Sequence, residues 1–267
     1  MSPSRPCALT VAGSDCGGGA GIQADLKTFA VHGVYGTSVI TALTAQNTLG
    51  VKGISVPEKG FTALQLDSVL EDFPVQAAKT GMLFSSEIIS EAASRLSRAE
   101  IPLVVDPVSV SQTGHKLLED SAVNALKKQI IPLAALLTPN RPEAELLTGI
   151  ASIDSEEKAA RAIRILLDMG AGAVLLKGGH FQAKEWMVDW LGIAGSEPVP
   201  IRRPVIDTRN THGTGCTLSA AITANLALGL EMGQAVLQGR DYLQKALEMS
   251  FDLGQGQGPV DHLIDRL

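Results

Sequence analysis

Aromatic residues and cysteines are scarce in this chain. Aromatics make up 4% of its 267 residues, whereas hydrophobic residues make up 45%. This composition predicts an aliphatic, alanine-rich core that is large enough for one sizeable α/β domain. Cys7, Cys16 and Cys216 have no paired spacing. We therefore expect three reduced thiols rather than a framework of disulfides.

The chain also lacks long basic runs and long apolar runs. Its formal net charge is −6, which argues against nucleic acid as the main partner. The first six residues lead into an apolar strand rather than a secretory signal. The most apolar helical segment follows Cys216, contains Ser219, Thr223 and Asn225, and is too short to span a bilayer. We therefore expect a soluble, cytoplasmic protein with no membrane partner.

Four common functional motifs are missing or incomplete. Lys27 is preceded by Leu26, where a Gly-x-x-x-x-Gly-Lys-Ser/Thr phosphate loop requires glycine. Residues 19–24 match Gly-x-Gly-x-x-Gly/Ala, but residues 39–47 lack the acidic residue that a dinucleotide site needs about 20 positions later. No His-Glu-x-x-His occurs and the five histidines are scattered, which argues against zinc. A Gly-x-Ser-x-Gly nucleophile turn is also missing.

Apolar strands alternate with helical segments along the chain. Strands are predicted at 7–14, 39–44, 77–82, 101–108, 134–140 and 172–180, with an antiparallel pair at 185–193 and 200–206. Helices are predicted at 22–31, 61–73, 86–96, 155–169 and 232–251, with further helices starting at Arg141 and around Cys216. This alternation predicts a mainly parallel sheet covered on both faces. No linker or internal repeat divides the chain, so we expect one domain over residues 1–267.

Polar side chains stand at the predicted strand exits. Ligands of parallel α/β sheets bind beside the carboxyl ends of the strands. The residues at those ends are Asp15, Gln46, Asp106, Asn140 and Lys177. We expect them to surround one site.

The stretch from Asn210 to Thr217 predicts an anion-binding site. Gly213 and Gly215 precede a run of small apolar residues that reads as a helix. The first amide groups of a helix have no partner within it, and the helix dipole leaves partial positive charge there. The glycines leave room for an approaching phosphate. Cys216 lies in the first turn, a position that predicts a lowered thiol pKa.

Three segments together carry a family resemblance. They are Ala12-Gly13-Ser14-Asp15 with the following glycines, Ala24-Asp25-Leu26-Lys27-Thr28, and the stretch from Asp207 to Cys216. The chain resembles the hydroxymethylpyrimidine/phosphomethylpyrimidine kinases of thiamine biosynthesis, which belong to the ribokinase-like superfamily. The resemblance covers essentially the whole chain, and Cys16 departs from it where a serine is expected.

The resemblance implies a ribokinase-like three-layer α/β/α fold and a homodimer. It implies ATP-dependent phosphorylation of 4-amino-5-hydroxymethyl-2-methylpyrimidine, and then of its monophosphate. Such chemistry depends mostly on positioning and charge stabilisation. The amides of Gly213, Thr214, Gly215 and Cys216 would stabilise the transferring phosphoryl group. Cys216 would accept the hydroxyl proton; the alternative for its side chain is a small buried residue.

The resemblance also implies roles for the remaining candidates. Gln46 would pair with the aminopyrimidine edge, because a carboxamide both donates and accepts. The rest of the substrate pocket would be shaped by Gly13, Asp25, Met82 and Val108. Magnesium would be held through water by Asp106 and Glu143, and ATP would be contacted by Asn140, Lys177, Thr211 and Thr113. A solvated Asp25, a core Met82 and a helix-start Glu143 stay open as alternatives.

Three other functions are weighed against this one. A pyridoxal or pyridoxine kinase shares the fold and the anion site, so Cys216 does not separate the two, although Gln46 and Met82 favour the aminopyrimidine. A sugar or nucleoside kinase is disfavoured because no lid-type insertion follows the first strand. A non-catalytic pyrimidine-binding protein is disfavoured because the anion site and the carboxylates are intact.

Overall fold

The structure is a computed structural model that describes residues 5–109, 118–178 and 185–264. Within these residues nine strands form one sheet. The strands are Cys7–Asp15 (β1), Tyr35–Asn47 (β2), Gly50–Ser55 (β3), Val75–Thr80 (β4), Leu103–Val105 (β5), Leu136–Leu137 (β6), Ala173–Leu176 (β7), Trp186–Ile193 (β8) and Val199–Pro204 (β9).

Eight α-helices are present in the described part of the chain. They are Gly21–Val31 (α1), Phe61–Asp72 (α2), Ser86–Leu96 (α3), Asp120–Ala125 (α4), Arg141–Thr148 (α5), Glu156–Asp168 (α6), Thr214–Ala227 (α7) and Met232–Glu248 (α8). A π-helical turn at Leu126–Ile130 and a 3₁₀ turn at Ile131–Leu133 continue α4. Ser85 caps α3, because its side chain accepts the amide of Ile88.

The predicted alternation of strands and helices is confirmed, with three differences. The sequence did not reveal β3, which pairs antiparallel with β2 at the sheet edge. It did not reveal α4 either. The strands predicted at 101–108 and 134–140 are much shorter than expected, because Pro107 and Pro139 lack the amide that would continue the ladder. Part of the strand and turn predicted at 172–180 lies outside the described residues.

The sheet order is β3-β2-β1-β4-β5-β6-β7-β8-β9. Neighbours from β2 to β7 are parallel, whereas β3, β8 and β9 are joined by antiparallel pairing. The mainly parallel sheet is therefore confirmed, and so is the antiparallel pair β8–β9. No helix within the described ranges is both long and apolar enough for a bilayer crossing.

Alternate side chains of each central strand pack in opposite layers. Ala8, Ala77 and Val104 pack with the layer that contains α1, α7 and α8. Leu9, Val11, Ala78 and Val105 pack with the opposite layer, which includes α2, α3 and α6. Successive side chains of a strand point to opposite faces of the sheet, and here both faces are buried. The central strands are therefore apolar at nearly every position.

The strand order places a crevice at the ends of β1 and β4. The chain leaves β1 through α1 to β2 on one side, and reaches β4 on the other side through β3 and α2. Ligands of open α/β sheets bind where connections diverge in this way. The fold therefore directs the carboxyl ends of β1, β4 and β5 into one site.

Candidate active site

The N-terminus of α7 forms one wall of a cavity. Gly213 precedes the helix with φ of +83°, and no side chain in the described residues caps it. A Cβ atom at Gly213 would overlap the carbonyl oxygen of Gly19, so only glycine fits. A Cβ atom at Gly215 would lie 3.3 Å from Asp106 Oδ2 and 3.5 Å from Lys177 Nζ. The helix start therefore lies directly against the ends of β5 and β7.

The cavity has a volume of about 460 Å³ and brings the predicted residues together. Those on its wall are Gly13, Gln46, Met82, Asp106, Val108, Asn140, Glu143, Lys177, Thr211, Gly213, Thr214, Gly215 and Cys216. Asp25 is not on the described wall, and Thr113 lies outside the described residues. Segments far apart in sequence thus converge as expected for strand ends.

A second cavity of about 410 Å³ adjoins the first. It extends over β8, β9 and α8, where Met187, Arg240 and Leu243 contribute to its wall. The two cavities share the residues Asn140, Pro142, Lys177, Thr211, Thr214 and Gly215. The start of α7 therefore stands between two adjoining spaces, each of a size that holds a small molecule.

Lys177 and two carboxylates lie where the cavities meet. Lys177 Nζ is 3.0 Å from Asp106 Oδ1. Burial would lower the pKa of Lys177, but Asp106 and Glu143 outweigh it and raise the pKa. Burial raises the pKa of Glu143 to about 7; the charge of Asp106 adds to the rise and Lys177 opposes it. Lys177 therefore stays protonated beside Asp106 and Glu143.

Asn140 and Glu143 form a reciprocal cap at the start of α5. The Asn140 side chain accepts the Glu143 amide at 2.9 Å, and Glu143 Oε2 accepts the Asn140 amide at 2.8 Å. Their spacing matches the capping box, a helix-start signal that is visible in the sequence. The helix-start role of Glu143 is therefore confirmed, and the cap fixes its carboxylate at the cavity wall, whereas its role in holding a metal stays a prediction.

The lowered pKa expected for Cys216 is wrong for this structure. Cys216 is partly open to the cavity, yet the surrounding protein desolvates its thiol and raises the pKa to about 11. The Lys79 ammonium and the Gly21 amide oppose the rise, whereas Asp25 and Asp106 add to it. The helix start alone does not outweigh burial and two nearby carboxylates, so the thiol is neutral near pH 7.

Asp25, expected in the substrate pocket, is buried behind it. Its carboxylate is fully buried and is bonded to Lys79 Nζ at 2.7 Å and to Thr10 Oγ1 at 2.7 Å. Burial raises the pKa of Asp25, against the effect of Lys79. Lys79 itself was missed, although a lysine within the apolar run of β4 was the available signal. Because both charges are buried, each requires the other.

Asp15 and His212 join the two glycine-rich turns. Asp15 accepts the amides of Gly17, Gly19 and Ala20 at 2.8, 3.1 and 2.9 Å, and His212 Nε2 lies 2.8 Å from its Oδ2. Burial would raise the pKa of Asp15, but His212 and the amides outweigh it and lower the pKa. The sequence placed Asp15 at a strand end and both residues in segments that carry the family resemblance, but it did not predict their contact.

The geometry defines a class of small-molecule kinase. A helix start aimed at an ion pair, between two cavities at the ends of parallel strands, suits phosphoryl transfer between bound small molecules. Structures with this fold include the pyridoxal kinase of Staphylococcus aureus in complex with AMP-PCP and pyridoxal, with a TM-score of 0.90 and 32% identity over 99% of this chain and 96% of that one. The phosphomethylpyrimidine kinase of Clostridium difficile 630 matches with a TM-score of 0.79 and 43% identity, over 91% and 100% of the two chains.

The chain belongs to the phosphomethylpyrimidine kinase family, whose model matches residues 15–261. It is 49% identical to the hydroxymethylpyrimidine/phosphomethylpyrimidine kinase of Synechococcus elongatus, over 96% of this chain and 97% of that one. The enzyme of that name from Escherichia coli is 45% identical over 96% of both chains. The expected family, the ribokinase-like fold and a phosphotransferase activity that uses ATP are therefore confirmed.

The raised pKa of Cys216 predicts slow alkylation at neutral pH. Only the thiolate reacts with iodoacetamide, so in a Cys16→Ser background the rate at Cys216 is expected to rise about tenfold per pH unit from pH 7 to 10. Mass spectrometry separates Cys216 from the buried Cys7. The urea-unfolded chain is the control, because its thiols follow the ordinary pKa of about 8.5. A plateau below pH 9 in the folded protein would contradict the raised pKa.

Proposed function

We propose that the protein transfers the γ-phosphoryl group of ATP to the hydroxymethyl group of 4-amino-5-hydroxymethyl-2-methylpyrimidine. It then phosphorylates the resulting monophosphate to the diphosphate, in thiamine biosynthesis. The observation that carries this proposal is the pair of cavities that meet at the start of α7. Relatives named for both activities, at 43–49% identity over nearly the whole chain, support it.

We assign ATP to the second cavity and the pyrimidine to the first. The transferring phosphoryl group then lies at their shared wall, where the amides of Gly213 to Cys216 and the Lys177 ammonium face it. Developing negative charge on the phosphoryl oxygens is stabilised there by fixed donors. Asn140 and Thr211 are on the wall of both cavities and contact the phosphates. Thr113 stays a proposed phosphate contact on the strength of the resemblance alone.

The pyrimidine is held by residues from three strand ends. Gly13 lies near the end of β1, Gln46 lies at the end of β2, and Met82 follows β4. A Cβ atom at Gly13 would lie 3.2 Å from Met82 Sδ, so glycine keeps this wall open. Val108 completes the apolar surface, and the Gln46 carboxamide reads the aminopyrimidine edge. Asp25 contributes from behind the wall, through its pair with Lys79.

The transfer requires a proton acceptor. The hydroxymethyl oxygen forms a bond to the γ-phosphorus while the bond from that phosphorus to the bridging oxygen breaks and ADP leaves. We propose Cys216 as the acceptor of the hydroxyl proton. With a pKa of about 11, roughly one molecule in ten thousand carries the thiolate at pH 7. The transition state is loose, so the hydroxyl proton leaves late in the reaction. A thiol that is mostly protonated at pH 7 can therefore still act as the acceptor in the small fraction that is ionised.

We propose that Mg²⁺ accompanies ATP at Asp106 and Glu143. No group of three His, Cys, Asp or Glu side chains within the described ranges is arranged to hold a metal directly. Two buried carboxylates fit magnesium, which keeps several waters and takes phosphate oxygens as further ligands. When bound, the ion would neutralise charge on the phosphates. Removal of Mg²⁺ with EDTA is expected to stop ADP release, and ADP release at full rate in EDTA would contradict this assignment.

We further propose that two copies of this one-domain kinase form a homodimer across the β2–β3 edge. Leu43 on β2 and Phe61 and Leu64 on α2 are about half exposed there. Such an apolar patch beside an edge strand is typical of an interface. Light scattering is expected to give twice the 27.9 kDa chain mass for the wild-type protein. Leu64→Glu is expected to lower this mass towards that of one chain. Leu228→Glu, on the opposite layer, is the control and is expected to leave the mass unchanged. A monomeric wild-type protein would contradict the proposal.

The catalytic proposal predicts distinct effects of two serine substitutions. ADP release with Mg-ATP is measured with the aminopyrimidine and with pyridoxal in parallel. Cys216→Ser is expected to lower turnover of the pyrimidine at least 100-fold, the range of lost general-base catalysis. Cys16→Ser, the matched control at an exposed thiol, is expected to keep turnover within about twofold.

Three results would change the assignment. Full turnover by Cys216→Ser would remove Cys216 from the base role while leaving the substrate intact. Turnover of pyridoxal alone would replace the pyrimidine by pyridoxal, the substrate found with the related kinase of Staphylococcus aureus. A protein that consumes no ATP with either compound would favour a non-catalytic binding protein.

A further inference from the structure

The Gln46 carboxamide has a protein neighbour at each end. Its Oε1 lies 3.2 Å from Thr44 Oγ1, and its Nε2 lies 3.4 Å from His212 Nε2. A half-turn about the terminal bond exchanges the oxygen and the nitrogen with almost no change in shape. The protons of the two neighbours therefore decide which end points where.

His212 can only donate at the nitrogen that faces Gln46. The same Nε2 atom lies 2.8 Å from Asp15 Oδ2. Asp15 is an ionised carboxylate whose pKa is lowered by His212 and by backbone amides, although burial acts the other way. A carboxylate accepts and does not donate, so the Nε2 atom carries the proton. An amide nitrogen opposite that N–H would set one donor against another, whereas an amide oxygen there shares the N–H with Asp15 in a three-centre contact.

Thr44 offers a lone pair to Gln46. A threonine hydroxyl has one proton, and the Thr44 hydroxyl donates it to the Ser14 carbonyl oxygen at 2.9 Å. This contact is shorter than the 3.2 Å to the Gln46 carboxamide. With its proton engaged on β1, the hydroxyl oxygen accepts from its other neighbour. An amide oxygen on that side would set one acceptor against another.

One orientation satisfies both neighbours. We infer that Thr44 and His212 are specificity-determining positioning residues, which fix Gln46 with its nitrogen towards Thr44 and its oxygen towards His212. A carboxamide has two N–H donors and two oxygen lone pairs. Thr44 takes one N–H and His212 takes one lone pair. One N–H and one lone pair of Gln46 are left for a ligand, and their positions are fixed.

The free N–H and the free oxygen lone pair of Gln46 match the edge of a 4-aminopyrimidine. That edge carries a ring nitrogen acceptor beside an amino donor, so the free N–H meets the ring nitrogen and the free lone pair meets the amino group. The reversed carboxamide would place donor against donor. This inference rests on the proposed function, because it takes Gln46 as the residue that contacts the pyrimidine.

The neighbours themselves are held rigidly. Gly17, Gly19 and Ala20 donate their amides to Asp15. A Cβ atom at Gly19 would lie 2.5 Å from the His212 ring, so the glycine turn packs directly on the imidazole. His212 therefore has little freedom to turn away from Gln46, and the preference of the carboxamide is built in before a ligand arrives.

Thr44→Val tests the inference because it keeps shape and removes the hydroxyl. Thr44→Ser restores the hydroxyl, and Thr44→Ala is a second hydroxyl-free variant in case valine prevents folding. Thr37→Val is the matched control. Thr37 is also on β2, is equally buried at 8% exposure, and its hydroxyl likewise donates to a β1 carbonyl, that of Ala8 at 3.2 Å. It is not on the described cavity wall.

The measured quantity is the ratio of kcat/KM for the 4-aminopyrimidine to that for its analogue with hydrogen at position 4. Thr44→Val and Thr44→Ala are expected to lower this ratio about tenfold, the effect of one lost hydrogen bond. Thr44→Ser and Thr37→Val are expected to keep it within about twofold, while both valine variants lower Tm. A merely structural role would affect both substrates equally.

Two outcomes would overturn the inference, and they are distinguishable. A wild-type ratio preserved in Thr44→Val and Thr44→Ala, in an enzyme that phosphorylates the aminopyrimidine, would overturn only the role of Thr44. A wild-type enzyme that does not phosphorylate the aminopyrimidine at all would overturn the proposed function and this inference together.

Discussion

The close approach of the α7 N-terminus to the sheet is the constraint on which the rest of the site depends. The helix is buried along most of its length, and its small side chains Ala220, Ala221 and Ala224 are fully buried. Larger residues at these positions would hold the helix away from the strands. Because Gly213 and Gly215 also lack side chains, the first turn of α7 reaches the ends of β5 and β7. The proposed anion site is thus a product of packing.

Charge balance around that helix start explains the unusual burial of ionisable groups. Lys79 and Asp25 are fully buried as a pair, and Asp106 pairs with Lys177 at the cavity wall. Buried pairs contribute little net stability, since desolvation offsets attraction. Both pairs also interact electrostatically with Cys216, so in the proposed mechanism they would set the environment in which phosphoryl charge develops. The raised pKa of Cys216 follows from the same environment.

The sequence predicted the fold and most of the site for a physical reason. Unbroken apolar runs separated by helical segments allow only a covered parallel sheet, and the strand ends of such a sheet meet at one edge. Asp15, Gln46, Asp106, Asn140 and Lys177 could therefore be grouped without coordinates, and all five lie on the wall of the first cavity. The glycines before α7 predicted the helix start for a similarly local reason.

Side-chain pairing over long sequence separations could not be predicted in this way. Asp25 lies on α1, and nothing in the sequence around it indicates a pairing with Lys79, which is 54 residues away. The contact between His212 and Asp15 joins positions 197 apart. The pKa of Cys216 depends on burial and on two distant carboxylates, which a helix-start position does not reveal. β3 was missed because edge strands are short and partly exposed.

The central claim is that the amides of Gly213, Thr214, Gly215 and Cys216 hold the transferring phosphoryl group. The most direct measurement is the ¹H–¹⁵N spectrum of the labelled protein with Mg-ADP and the pyrimidine, before and after addition of fluoroaluminate, which mimics that group. The account predicts large downfield shifts of these four amide protons and none at Gly195, in a distant turn. Shifts confined to other amides, with these four unchanged, would contradict it.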